Sequence, residues 1–400
     1  MQITDLAQEQ KIPVLLRLAF RPLFLGAALF AVLAIGWWGA ILAGWLQQKP
    51  ALPLVFWHSH EMVFGFGSAV VAGFLLTAMQ NWTGLRAPHG RPLALLVGCW
   101  LLARLANAAP VQLPLPLLML LDLSFLPLAA WLLARPLIAA QQYRNLFFIP
   151  LLLVLTICNA LMWLGLMPGY DQFQQHGSTS AVLLITMVMA IVGGRVLPMF
   201  TANGTRTTRV SPLLWLDRAA LGSCWLVFGY HFFHLQLWLP AQVPLILCSL
   251  AALLLAARAL RWKIWITLRE PLLWSLHIAY WCIPAGLALF AARYAGFAVT
   301  QSLAIHLLTV GAMGGMILSM MSRVSLGHTG RPLKVPRWMP LAFVSLIAAV
   351  ISRVALPMVS GMWYQTGVLL SALFWVCGFS LFLLCYCKIL ISPRADGHPG

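Results

Sequence analysis

The chain has 400 residues, of which 62% are hydrophobic and only 8% charged, and its mean hydropathy is +0.90. A soluble globule carries about 25% charged residues to keep its surface wet, so this composition excludes a water-soluble protein and makes lipid the solvent for most of the surface. The net charge is +17, from 25 Lys and Arg against 8 Asp and Glu, and the positions of those charges decide whether it signals an anionic partner or an orientation in a membrane.

Apolar stretches of about 20 residues are long enough to cross ~30 Å of hydrocarbon. In chain order they predict spans near 21–45, 57–80, 92–108, 115–134, 146–166, 179–200, 212–234, 241–260, 271–292, 299–321, 339–356 and 363–390. The connections are short and carry Pro, Gly or Arg, as in Pro88-His89-Gly90-Arg91-Pro92 and Gly327-His328-Thr329-Gly330-Arg331-Pro332, and none separates soluble domains. The expected architecture is an all-α polytopic membrane protein, a bundle of about twelve transmembrane helices in a single integral membrane domain over residues 1–400.

The basic residues test this count, because alternate loops should be basic if every span crosses. They do alternate: 20 of the 25 fall on one side, from Lys11, Arg17 and Arg21 through to Lys388 and Arg394. The bias places both termini in the cytoplasm, and it assigns most of the positive charge to orientation in the lipid bilayer, with no nucleic acid as partner. Residues 1–13, with Asp5 and Glu9, lack the apolar core and cleavage site of a secretory signal, so the N-terminus is expected to be retained. The eight cysteines lie in apolar spans without a Cys-x-x-Cys pair and read as small buried residues. A faint internal echo links Gly193-Gly194-Arg195-Val196 with Gly314-Gly315 and Arg323-Val324.

Carboxylates are scarce. Asp122 lies well inside the fourth span, where an ionisable group is costly unless paired or wet, so it is either a functional group or the structural partner of Arg104. Both readings stand. Depth makes the histidines informative: His58, His60 and Glu61 open span two from the outside, His231 and His234 close span seven there, and His306 lies about two turns into span ten. His277 is about two turns into span nine from the inside, and His328 follows span ten.

Imidazole suits haem iron, copper and non-haem iron. His58 and His60 are about 200° apart on a regular helix, so they share one metal only if the lead-in Trp57-His58-Ser59-His60 is extended; otherwise they face two neighbours. Glycines at 65, 67, 73, 311, 314 and 315 would admit a flat macrocycle, or a packed helix. His231 and His234 are more simply residues of an interfacial aromatic belt. Arg323 and Arg331, in and beside the inner loop, offer forked donors to an anion such as a haem propionate or a lipid head. Nothing resembles a nucleotide-binding loop, a serine nucleophile elbow or a zinc-protease helix, which speaks against hydrolases and ATP-driven pumps.

Taken as a set, Arg21-Pro22-Leu23-Phe24, Trp57-His58-Ser59-His60-Glu61-Met62 with Gly65, Gly73-Phe74-Leu75-Leu76-Thr77, Asn81-Trp82-Thr83-Gly84, Gly194-Arg195-Val196-Leu197-Pro198, and His306 through Gly330-Arg331 resemble the NnrS family. The resemblance implies a bacterial twelve-span protein of the inner (cytoplasmic) membrane, containing haem and copper, that acts in the response to nitric oxide. It also implies roles for His58, His60, His277, His306 and His328, and marks Arg195 as a cofactor-binding candidate.

The function expected on these grounds is haem-dependent binding and detoxification of nitric oxide, most concretely its reduction to nitrous oxide with electrons from a quinol. His58, His60 and His306 would form an outer metal site, copper or non-haem iron, with Glu61 as a proton relay; His277 would ligate haem b deeper in the bundle, with two haems conceivable. A non-catalytic sensor or sequestering protein for nitric oxide is one alternative, and a twelve-helix secondary transporter is another.

Overall fold

The computed structural model describes residues 6–398; Asp5 lies outside the described residues. Among them the chain is helical, with no strand. Twelve long helices follow one another: α1 (Phe20–Leu42), α2 (Leu54–Thr83), α3 (Gly90–Ala108), α4 (Leu115–Ala139), α5 (Phe148–Leu164), α6 (Gln172–Thr205), α7 (Leu214–Phe232), α8 (Gln242–Leu260), α9 (Pro271–Tyr294), α10 (Gln301–Gly327), α11 (Met339–Val359) and α12 (Tyr364–Ile391). Ten of them are long and apolar enough to cross a membrane, as an all-α polytopic membrane protein requires. The other two, α3 and α7, carry Arg91 with Arg104, and Asp217 with Arg218.

The packing divides into two compact units that are not continuous in sequence. The first holds the chain up to Ser178 together with Met321–Lys334 and the residues from Phe379 onward; the second holds Thr179–Met320 and Val335–Gly378. Lipid tails are as apolar as leucine, so helices in a membrane associate by close packing and internal hydrogen bonds rather than by escape from water. Both devices are visible. In the first unit Gly73 of α2 lies against Leu23 and Phe24 of α1, and the Thr77 hydroxyl accepts from the Phe20 amide at 3.0 Å while donating to the Gly73 carbonyl at 2.7 Å. That hydroxyl satisfies an amide at the start of α1 that has no partner within its own helix. In the second unit Gly315 of α10 faces Ala279 of α9, and Gly311 faces Cys282.

Three helices contain π-helical turns: α2 over Glu61–Gly67, α10 over Leu307–Gly314 and α11 over Ile351–Ala355. Such turns are rare, widen the helix, and concentrate at functional sites. Two of them begin on the residue after a histidine, His60 in α2 and His306 in α10. The match extends further. Gly65 and Gly84 follow His60 at the same spacings as Gly311 and Gly330 follow His306. A threonine-glycine pair closes α2 and follows just beyond α10, its hydroxyl turning back one helical turn, Thr83 to Met79 O and Thr329 to Ser325 O, with the glycine left-handed at φ 68° and 69°. The internal echo is therefore strongest between α2 and α10. The glycine pairs that suggested one between α6 and α10 answer to local packing instead.

The glycine pair of α6 has such a purpose. In the second unit the Arg258 guanidinium of α8 lies against Gly194, where any Cβ would collide with it. Arg258 donates through Nε to Asp217 Oδ1 at 2.6 Å and through Nη1 to the Ala190 carbonyl at 2.8 Å, and it lies over the Trp262 ring. This side chain links α6, α7 and α8 through one buried charge. Gly194→Ala is expected to destabilise the protein by about 3 kcal/mol, because a buried pair is broken when its charge is displaced. Adding Arg258→Met should restore part of the loss. Thermal unfolding of the detergent-solubilised single and double variants measures both; an unchanged midpoint for Gly194→Ala would contradict the packing described.

Candidate functional site

The largest concentration of buried polar groups is in the first unit, on α2 to α5. Its framework is local sequence. Pro53 starts α2, so Leu54–His60 is helical and not extended, and His58 and His60 point to different neighbours. His58 stacks on Trp38 of α1, ring centroids 4.1 Å apart and 18° from parallel. His60 turns inward, with no exposure, and stacks on Phe56 at 5.2 Å and 14°.

Both ring nitrogens of His60 meet oxygen acceptors. Nδ1 lies 2.9 Å from Glu61 Oε1; Nε2 lies 2.9 Å from Asp122 Oδ2 and 2.8 Å from Asn159 Oδ1. An imidazole that faces acceptors on both nitrogens makes full use of them as the doubly protonated cation. Arg104 of α3 is the second cation. It pairs with Asp122 Oδ1 through Nη2 and lies 3.3 Å from Glu61 Oε2 through Nε. Asn107 donates to Glu61 Oε1 at 3.0 Å, and Asn159 and Trp163 donate to Asp122 Oδ2 at 2.6 and 3.0 Å. Two carboxylates thus face two cationic groups, and amides and an indole add hydrogen bonds at Glu61 Oε1 and Asp122 Oδ2, while Glu61 Oε2, Arg104 Nη1 and Asn107 Oδ1 are buried with no hydrogen-bond partner among the described residues.

The π turn of α2 makes room for this. Gly65 gives its carbonyl to the Trp100 indole at 2.8 Å, and a Cβ there would run into Arg104, Phe30 and Glu61. The Ser68 hydroxyl bonds back to Phe64 O. Of the two readings of Asp122 given by the sequence, the pairing with Arg104 is present, and His60 and Glu61 are joined to it. Asn107, Asn159 and Trp163 were not singled out from the sequence. They carry a faint signal: Asn107 is three residues from Arg104, and Asn159 is four from Trp163, so each pair shares a helical face.

A second group lies at the basic side of the first unit. The His328 ring sits 5.7 Å from the Phe20 ring, and among the described residues its nitrogens take no hydrogen bond. Burial, with the Arg394 and Arg21 guanidiniums nearby, pushes this imidazole down to about 4, so at neutral pH it keeps the lone pair that a metal ligand needs. Arg21, fully buried, donates Nη1 to the Leu390 and Ser392 carbonyls at 2.8 Å each. The C-terminal segment closes over the loop: Arg394 Nη1 donates to His328 O at 3.3 Å, Ala395 N donates to Thr329 O at 2.9 Å, and Asp396 presses on Gly330. The Arg394 hydrogen bonds hold the Asp396 carboxyl well below the usual carboxylate range. Arg331 donates Nη1 to Thr329 O at 3.3 Å, and Arg323 is half-buried on α10.

In the second unit His277 of α9 is buried, with Nε2 2.8 Å from the Thr201 hydroxyl of α6. His306 of α10 is half-buried, and its Nδ1 donates to the Ser302 carbonyl at 2.7 Å. That bond fixes the ring, the usual support of a metal-binding histidine. Arg195 is exposed; the buried guanidinium beside the Gly193-Gly194 pair is Arg258. The four expected metal ligands are thus divided, His58 and His60 in the first unit and His277 and His306 in the second. Among the described residues no three His, Cys, Asp or Glu side chains form a ready metal site, and the eight cysteines form no disulfide.

The chain matches the model of the NnrS protein family over residues 14–394. It belongs to the NnrS family. Membership fits a role in the response to nitric oxide. A comparison with curated proteins gives no match.

The buried cluster has a measurable signature. Removing one member of a buried ion pair strands its partner and costs about 3–5 kcal/mol, whereas an apolar replacement of both is close to neutral. Arg104→Met and Asp122→Leu should each lower the unfolding midpoint strongly, and the double variant should recover at least half of the summed loss. Simple additivity of the two losses would show that the pair is not coupled.

Proposed function

We propose that this NnrS-family protein is a haem-dependent protein of the bacterial inner membrane, with both termini cytoplasmic, that binds nitric oxide and reduces it to nitrous oxide with quinol-derived electrons. The observation that supports turnover most directly is the string Glu61, His60, Asp122. Reductive coupling takes two nitric oxide molecules, two electrons and two protons to nitrous oxide and water, so a bilayer site needs groups that hold protons away from bulk water. Three titratable groups in hydrogen-bond contact, shielded by aromatic rings, are such a store.

The donor sets fit the cofactors unequally. His306 and His328 fit best: the first has its Nδ1 proton fixed on a carbonyl, and the second is held neutral. His277 fits once its Thr201 hydroxyl partner is displaced, and His58 presents a ring held flat by Trp38. His60 does not fit while both its nitrogens are engaged, and in this reading it handles protons with Glu61 rather than binding metal. A haem b, with copper or non-haem iron as the second metal, would supply the binding position for nitric oxide and the electron transfer. Arg323 and Arg331 would take anionic groups of a cofactor or lipid on the cytoplasmic side.

One observation favours the second reading, a protein that binds nitric oxide without turning it over. Each carboxylate of the cluster is ion-paired inside the protein, and a charge-paired carboxylate takes up a proton less readily than a free one. Nothing in the geometry favours a transporter.

The readings separate in two measurements. The purified protein should show a haem absorption spectrum, and with reduced quinol it should form nitrous oxide from nitric oxide; nitric oxide binding without nitrous oxide would leave the binding protein. Substituting His58, His277, His306 and His328 singly by alanine should lower haem or copper content at the ligands by at least half. His60→Ala should instead retain metal while slowing turnover 10-fold or more, since proton transfer by a positioned group contributes about 10²–10⁴-fold. Loss of metal in His60→Ala would restore that histidine as a ligand.

A further inference from the structure

Four arginines are buried among the described residues: Arg21, Arg104, Arg258 and Arg353. Arg104 and Arg258 pair with carboxylates, and Arg21 gives Nη1 to two carbonyls. Arg353 is different. It lies in the π turn of α11, 5% exposed, and no carboxylate among the described residues pairs with it. Its Nη2 donates to the Ser302 hydroxyl at 2.8 Å and to the Tyr364 hydroxyl at 3.4 Å, its guanidinium lies 5.2 Å from the Tyr364 ring centroid, and its Nη1 is buried with no hydrogen-bond partner. A lone guanidinium in an apolar setting is expensive to keep.

The correspondence between α2 and α10 shows what is missing. Arg104 is on the helix after α2, and Arg353 is on the helix after α10. Each approaches the start of a helix in which a histidine precedes a π turn. In the first unit the residue after that histidine is Glu61, and Glu61 with Asp122 neutralises Arg104. In the second unit the residue after His306 is Leu307. The second unit has kept the guanidinium and lacks the carboxylate.

We propose that Arg353, with Ser302 and Tyr364, is a binding site for a planar oxygen anion of the carboxylate or nitrite class. A guanidinium presents a flat fork of donors that matches two oxygens of such an anion, with geometry that a lysine cannot reproduce. The Arg353 Nη1 and the hydroxyls of Ser302 and Tyr364 supply the donors. Tyr364 is 46% exposed, which provides a route in from the surface. The anion is either a free small oxyanion or the carboxylate of a bound cofactor, and the two sources share this chemistry.

The experiment uses the full-length protein in detergent, first without haem, titrated with sodium nitrite and sodium acetate against sodium chloride at equal ionic strength. Thermal unfolding is the readout, since a ligand that binds only the folded state raises the midpoint. The wild type should show a saturable rise with nitrite or acetate beyond that with chloride. Arg353→Lys should weaken the apparent affinity about 10-fold or more, and Arg353→Met should abolish the rise. In anion-free buffer Arg353→Met should unfold at or above the wild-type midpoint, because an uncompensated charge has been removed; a purely structural arginine would give a fall. Repeating the titration on haem-loaded protein separates the sources: a response that disappears assigns the site to a cofactor carboxylate, and one that persists assigns it to a free oxyanion. The proposal is overturned if haem-free wild type shows no anion-specific rise, if Arg353→Met responds like wild type, or if Arg353→Met unfolds lower in anion-free buffer.

Discussion

The interaction on which the first unit depends is the buried pairing of Arg104 and His60 with Asp122 and Glu61. Within hydrocarbon a single charge is costly, and lipid offers helices no hydrophobic reason to associate. Opposite charges on different helices supply that reason: α2, α3 and α4 are held together because separating them would leave ions facing lipid. The amides of Asn107 and Asn159 and the indole of Trp163 add hydrogen bonds to Glu61 Oε1 and Asp122 Oδ2, and through Asn159 and Trp163 they bring α5 to the cluster. Gly65 and the π turn follow from the same need, since the helix widens where Arg104 must enter.

Much of this was legible in the sequence, for identifiable reasons. A transmembrane helix states its presence by length and apolarity, and the alternation of Lys and Arg gave an independent check on the count. Asp122 announced itself because an acid in the middle of an apolar span is rare, and Arg104 was the one basic residue near enough to answer it. The engagement of His60 with Asp122 was not legible. Periodicity gave only that His58 and His60 diverge, and it left open which of the two turns inward. The π turns were hidden as well: no residue type encodes them, and they appear only when packing of a glycine-rich stretch against neighbouring helices is known. Arg195 shows the opposite failure, a motif arginine that lies exposed while its neighbour Gly194 makes room for Arg258, sixty-odd residues away in sequence.

The α2 and α10 helices argue that one design has been used twice and then diverged. Each has a histidine, a π turn that starts on the next residue, a glycine five residues after the histidine, and a threonine-glycine pair at or just past its C-terminal end with the glycine left-handed. Divergence is concentrated where chemistry would be decided. Glu61 against Leu307 is a change from acid to hydrocarbon beside a retained arginine, and it converts a self-neutralised site into one with positive charge to spare.

That difference separates stability from function within the same motif. A cluster whose charges are matched inside the protein holds helices in place, and its groups are fixed by one another. A site with a buried charge left over is unstable by itself and becomes favourable when something else supplies the counter-charge. In the first unit the free energy of charge pairing is spent on folding; in the second the Arg353 fork retains it for binding. A selective pressure on stability alone would remove such a group, since methionine or leucine would pack there at lower cost. Its presence is therefore better explained by a ligand than by the fold, and the half-exposed Tyr364 beside it marks the side from which that ligand arrives.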